Sequence, residues 1–259
     1  MQYTSFGFIG GGRITRIILS AFKRTGNLPG KVVVSDTNAH ALADLKKYFP
    51  SIEVAVDDNR KLSVCDMVFV SLHPPVLMGA LGQVKSLIKP DSVVVSLAPK
   101  INLTRLSATL DRHARIVRMI PNAPSIVNRG YNPLAFSRGI PADEKAAIIK
   151  LFEILGECPE VPEKDLEAYA IIAAMGPTYF WFQWQTLVEL GKSFGLTEAS
   201  LRVGIAKMAS GAIDTLFGSS LSPEEVMDLV PVRPLADDEE AIRNMYRTRL
   251  SALFERLKG

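Results

Sequence analysis

The run Phe6-Gly7-Phe8-Ile9-Gly10-Gly11-Gly12-Arg13-Ile14-Thr15-Arg16-Ile17-Ile18 constrains this chain more than any other stretch. A short apolar segment enters Gly10-x-Gly12 and continues as apolar residues at helical spacing. That is the order of a first strand, a tight turn and a helix whose N-terminus holds a dinucleotide pyrophosphate. Gly10 lets the chain turn without a Cβ penalty, and Gly12 leaves backbone N–H groups open at the positive end of the helix. The third small position of the fingerprint is Thr15, neither glycine nor alanine, which predicts slightly looser packing of the helix on the strand. A second apolar run, Lys31-Val32-Val33-Val34-Ser35-Asp36, ends on an acid near the spacing at which a carboxylate accepts hydrogen bonds from the adenosine ribose. Glycine-rich turns also join strands to helices with nothing bound, so the ordered set of strand, turn, helix, strand and acid carries the assignment. The candidate cofactor residues here are Gly10, Gly11, Gly12, Arg13, Ile14 and Asp36.

At 259 residues the chain has room for one large domain or two small ones. Thirty basic and 27 acidic side chains leave a formal charge of +3, and no Lys/Arg block interleaved with aromatics marks a nucleic-acid surface. Cys65 and Cys158 are too few and too far apart for a disulfide framework and read as small core residues. His40, His73 and His113 lack metal-ligand spacing, so no metal is expected. No signal segment precedes the first strand and no run approaches the length of a membrane span, so a cytoplasmic protein without a membrane partner is expected.

Along the chain, Asn38 to Tyr48 predicts a helix and Ile52 to Val56 a short strand. Asp66 to Leu72, Val93 to Leu97 and Ile116 to Ile120 are continuous apolar runs of the kind buried on both faces of a parallel sheet. Helical stretches near Val76 to Ile88 and Leu103 to Leu110 separate them, which argues for a doubly wound α/β sheet. Three of these strands end in His73-Pro74-Pro75, Ala98-Pro99-Lys100 and Pro121-Asn122-Ala123-Pro124, a stiff rim at the end of the sheet where ligands bind. His73 reads either as strand punctuation or as a functional group. Asn122, between two prolines, is a candidate to bond the nicotinamide carboxamide or orient a substrate.

Tyr131 to Phe136 predicts one more strand, Ala142 to Leu155 a helix ending at Gly156, and Glu157 to Val161 an edge strand. From about Glu163 the character becomes helical, which places a domain boundary near Pro162: residues 1–162 bind the dinucleotide and 163–259 form a helical domain. Glu167 to Phe194 reads as a long helix interrupted by Gly176-Pro177, followed by the aromatic run Tyr179-Phe180-Trp181-Phe182-Gln183-Trp184. Aromatics on all sides require burial against a second subunit or the first domain. Tyr179, one turn past the break, is either core or a residue facing the cofactor. Two further helices carry stripes at Leu201 to Leu216 and Ile242 to Leu257. Between them Arg233, in a proline-bounded loop, is solvated, paired with an acid, or an anchor for a substrate carboxylate.

Gly7-Phe8-Ile9-Gly10-Gly11-Gly12, Val70-Ser71-Leu72-His73-Pro74-Pro75, Arg118-Met119-Ile120-Pro121-Asn122-Ala123-Pro124 and Gly176-Pro177-Thr178-Tyr179 resemble, in order and spacing, the successive signatures of pyrroline-5-carboxylate reductases. The resemblance covers nearly the whole chain. It implies a Rossmann-type domain followed by an all-α dimerisation domain, and nicotinamide-dependent reduction of a cyclic imine to proline. It further implies a homodimer interlocked through its C-terminal helices, with the active site between the nicotinamide and the helical domains of both subunits. On it, Leu72, His73, Pro74 and Asn122 lie near the nicotinamide, Asn122 and Tyr179 are the catalytic candidates, and Met175, Gly176, Pro177, Thr178 and Arg233 the substrate-binding candidates.

The departures bear on the substrate. Where the family has serines before its Gly-Pro, this chain has Ala173 and Met175; where it has a Ser-Pro-Gly-Gly-Thr-Thr loop, this chain has Val232-Arg233-Pro234-Leu235-Ala236; His73 replaces a lysine. Open backbone N–H groups and hydroxyls are lost, so the substrate is expected to differ, toward a more apolar imine. Asp36 followed by Thr37-Asn38, without a cation, favours NADH over NADPH, though either NAD or NADP fits the turn. Two alternatives stand beside this reading: a deazaflavin-dependent NADP reductase, which shares the N-terminal architecture, and a dinucleotide-binding sensor or assembly protein without catalysis.

Overall fold

The computed structural model describes residues 3–258. Its contacts divide the chain into two units, one running to Met175 and including the last turns from Phe254, the other spanning Gly176–Leu253. This division falls 13 residues (175 − 162) beyond the composition break at Pro162. Glu163 and Glu167 explain the difference, because both are ion-paired to Arg118 inside the first unit.

The first unit is built on seven strands: β1 (Ser5–Ile9), β2 (Lys31–Asp36), β3 (Glu53–Val56), β4 (Met67–Val70), β5 (Val93–Ser96), β6 (Ile116–Met119) and β8 (Leu134–Phe136). Their order is β3-β2-β1-β4-β5-β6-β8, parallel except where β8 runs antiparallel to β6 at the edge. Helices α1 (Arg13–Arg24), α2 (Ala39–Tyr48), α3 (Pro74–Val84), α4 (Leu103–Thr109) and α5 (Ala142–Phe152) alternate with the strands. All four residues of β4, β5 and β6 are buried, as their unbroken apolar runs predict for a sheet covered on both faces. Aromatics organise one of its two cores: Phe8 stacks on Phe69 at 4.6 Å, and Phe6 meets Phe22 of α1 edge-on at 5.3 Å. Both cysteines are buried, and burial pushes the Cys65 thiol up to about 11 and that of Cys158 to about 12.

Two expectations need correction. Tyr131 to Phe136 is not one strand: Asn132-Pro133 splits it into β7 (Gly130–Tyr131) and β8. β7 pairs instead with β9 (Gly156–Glu157), the predicted edge strand, in a separate two-stranded ladder. A proline that cannot donate and an asparagine whose carboxamide serves neighbouring groups account for the break. Nor does Thr15 loosen the helix. It is fully buried, and its hydroxyl donates to the Gly10 carbonyl at 2.6 Å, fastening the first turn of α1 to the glycine loop.

After α6 (Leu166–Tyr169) the helix widens into a π turn over Ala170–Ala174 before Gly176. In the second unit, α7 (Pro177–Ser193) starts on a proline whose missing N–H has no partner to lose. It packs on α8 (Glu198–Gly218) where Gly191 leaves room for Leu201. Then come α9 (Pro223–Asp228), with a Ser222/Glu225 capping box, and α10 (Glu239–Lys258). None of the helices among the described residues is long and apolar enough to cross a membrane.

Candidate functional site

The strand order reverses between β1 and β4, and at the carboxyl ends of these strands lies a cleft of about 500 Å³. This is where an open α/β sheet receives a ligand. Its floor is the glycine loop. Gly10 adopts φ +103°, and a Cβ there would come within 2.7 Å of the Ser71 carbonyl oxygen. Gly12 caps α1 with no side-chain bond, and a Cβ on it would meet nothing within 4 Å, so the first N–H groups of a 12-residue helix face open space. Gly11 is packed by Leu42 and Val34, and its N–H donates to Asp36 Oδ2 at 2.6 Å. Asp36 Oδ1 accepts from the Asn38 N–H at 2.8 Å, so β2 delivers its carboxylate to the edge of the loop with a set orientation.

One wall is Leu72, His73 and Pro74, with His73 exposed at the N-cap of α3. Ser71, before them, has a buried hydroxyl with no hydrogen-bond partner among the described residues. A buried orphan polar atom in a ligand cleft is one a ligand can satisfy. The opposite wall is the rim of Ala98, Pro99, Ile120 and Pro121, together with Ala170, Ala174 and Met175 from the π turn. An open loop that a Cβ would fill, an uncapped helix start, an oriented carboxylate and the orphan Ser71 hydroxyl fit a pyrophosphate-linked dinucleotide.

Of the residues expected from the sequence, Gly10, Gly12, Arg13, Ile14, Asp36, Leu72, His73, Pro74 and Met175 line this one cleft. Gly11 stands behind it. Asn122 is buried and does not line it; its side-chain amide donates to the Ala173 carbonyl at 2.6 Å, and its N–H donates to Asn132 Oδ1 at 2.9 Å. It thereby ties the end of β6 to the π turn that forms the wall. Gly176, Pro177, Thr178, Tyr179 and Arg233 belong to the second unit. Thr178 and Tyr179 line an apolar groove of about 490 Å³ with Phe182, Ile242 and Tyr246. The Tyr179 ring meets that of Tyr246 edge-on at 5.7 Å, and desolvation, with the neighbouring Tyr246, raises its phenol above the usual range. Arg233 pairs with Glu239, which also holds Arg243, beside a cavity of about 690 Å³ walled by Phe180, Leu235 and Ile242.

Sequence reasoning missed Ser71, Ala170 and Ala174. Ser71 stands within a strand-end run where a lone serine carries no signal, and the alanines look like ordinary helix formers until the π turn aims them at the cleft.

Together the sheet order, the switch-point cleft and the glycine loop define a Rossmann-type dinucleotide-binding domain. The family model described as NADP oxidoreductase, coenzyme F420-dependent, matches residues 5–100, the cofactor half alone. Over nearly the full length the chain is similar to the pyrroline-5-carboxylate reductase of Escherichia coli strain K12, at 24% identity across 92% of this chain and 88% of the relative. It is 27% identical to pyrroline-5-carboxylate reductase 3 of Xenopus laevis across 84% and 79%. Among solved structures, the Plasmodium falciparum pyrroline carboxylate reductase with NADP bound superposes with a TM-score of 0.83 at 18% identity, covering 98% and 97% of the two chains. Over nearly its whole length the chain is thus similar to pyrroline-5-carboxylate reductases, in sequence and in fold.

Proposed function

We propose that the chain reduces a small cyclic imine of the pyrroline-carboxylate type, with NADH preferred, and works as a homodimer in the cytoplasm. The observation that carries the reading is the full-length likeness to pyrroline-5-carboxylate reductases combined with a cleft whose floor is a bare-backbone anion cradle. A reduced nicotinamide held in the cleft would supply the hydride. Gly10, Gly11 and Gly12, with Arg13 and Ile14, hold the pyrophosphate; Asp36 accepts from the ribose hydroxyls; Leu72, His73 and Pro74 bound the nicotinamide end.

Reduction of an imine carbon leaves a proton to be placed on nitrogen. We assign that donation to Tyr179, whose raised phenol stays protonated at neutral pH. Met175, Gly176, Pro177 and Thr178 are assigned to the substrate body and Arg233 to its carboxylate. Asn122 is a positioning residue, acting on the cleft wall through Ala173. Ala173 and Met175 stand at or near the positions of the family's serines, and Val232-Arg233-Pro234-Leu235-Ala236 replaces its Ser-Pro-Gly-Gly-Thr-Thr loop, which supports a more apolar substrate than pyrroline-5-carboxylate.

Oxidation of NADH and of NADPH is followed separately with pyrroline-5-carboxylate, pyrroline-2-carboxylate and uncharged 1-pyrroline. Turnover is expected with at least one imine, fastest with NADH. Cofactor binding without turnover on any of the three would overturn the imine assignment.

A further inference from the structure

Beside the glycine loop, a recess of about 90 Å³ opens at the ends of β2 and β3, lined by Asp36, Thr37, Asp57, Asn59, Leu72 and Gln83 among others. It is the natural seat of the adenosine half, since Asp36 belongs both to it and to the cleft. In the sequence, the preference for NADH rests on Asp36 and on the absence of a cation at Thr37-Asn38. Asp57 enters with it. Its N–H donates to the Asp36 carbonyl at 3.0 Å, and its backbone sits in the left-handed region at φ +48°, a conformation tolerated by aspartate and asparagine and adopted by few other side chains.

The charge around it has one sign. None of the ten described residues lining the recess is lysine, arginine or histidine. The two cations that follow Asp57 in the chain are ion-paired, Arg60 with Asp58 at 2.7 Å and Lys61 with Glu53 at 2.7 Å. Arg13 stands at the start of α1, on the pyrophosphate side of the cleft. A 2′-phosphate would thus bring a dianion to two carboxylates without a cation to receive it, whereas free ribose hydroxyls donate to carboxylates.

We propose that Asp57 is a second cofactor-selecting residue, acting with Asp36 to admit a dinucleotide whose adenosine ribose carries free hydroxyls and to disfavour one bearing a 2′-phosphate. The proposal rests on the reading above that this end of the cleft holds the adenosine. Because both carboxylates border solvent, the effect is a screened, through-space one and shrinks with salt.

Titration calorimetry on the full chain tests it, with ADP-ribose and 2′-phospho-ADP-ribose as probes, on wild type, D57N and D36N. Asparagine tolerates the left-handed backbone, so D57N removes charge and leaves the loop; a thermal melt verifies that it is folded. Wild type is expected to bind ADP-ribose the more tightly. D57N should tighten 2′-phospho-ADP-ribose about five- to tenfold at low salt, with ADP-ribose changed by less than about twofold. A ratio that D36N moves and D57N does not overturns the role of Asp57 and leaves the adenosine assignment standing. If neither variant moves it, or if folded wild type binds neither probe, the adenosine assignment fails and the proposal with it.

Discussion

Gly10 cannot be replaced cheaply. At φ +103°, with a carbonyl oxygen 2.7 Å from any added Cβ, alanine there is strained in conformation and in space. G10A is expected to lose about 1–3 kcal/mol of stability and most dinucleotide affinity, read by denaturant titration and calorimetry. Thr15→Val removes the hydroxyl bonded to the Gly10 carbonyl without changing side-chain volume, and should cost about 1–2 kcal/mol. Asn122→Ala should lower kcat with little change in cofactor affinity, because its amide acts on the wall at Ala173 and not on the ligand; equal losses in both would contradict that role. At this scale the glycines, Asp36 and the His73-Pro74 rim were legible, since each departs from what its element alone needs. The Thr15 hydroxyl was not, because a local rule about small residues says nothing of a bond formed back to Gly10.

Elements are held in place by buried charge. Arg118 of β6 is 2% exposed; its guanidinium donates to Glu163 at 3.0 Å and to Glu167 at 2.6 Å. Those carboxylates also accept the Leu103 and Lys100 N–H groups, so one side chain joins β6, the β5–α4 loop and the start of α6. Removing one partner strands the other in the interior, and R118L should destabilise the chain by about 3–5 kcal/mol in urea unfolding. His113 gives a second handle. Half-buried, with its Nε2 2.9 Å from the Ser92 carbonyl, it has its pKa lowered by desolvation. A depressed folded pKa means that the neutral ring is the one the fold accepts. Its contribution is therefore present above the ordinary imidazole range of about 6.5 and lost as pH falls through the folded value. Urea midpoints measured from pH 7.5 to 5 should fall in wild type and fall less in His113→Gln. Strand runs predicted these elements well; the Asn132-Pro133 break was hidden because β7 and β8 are each too short to carry a period of their own.

For the whole molecule, the second unit exposes large apolar side chains: Phe182 is 65% exposed, Phe194 76% and Phe217 80%. Faces of this kind are covered by association, and sedimentation should show a dimer that Phe182→Glu weakens. A monomer at micromolar concentration would contradict this. The aromatic run of α7 announced that surface in the sequence, but hydropathy cannot say whether such a face turns to its own chain or to another, because both satisfy it equally. The loop that opens the molecule has a consequence in time. Thr15 fastens it from one side and Asp36 from the other, so its shape is supplied by the chain itself before any dinucleotide arrives. Shape comes first and contact second. Stopped-flow binding should then give a single phase whose rate rises linearly with dinucleotide concentration and shows no plateau, the behaviour of a lock already cut.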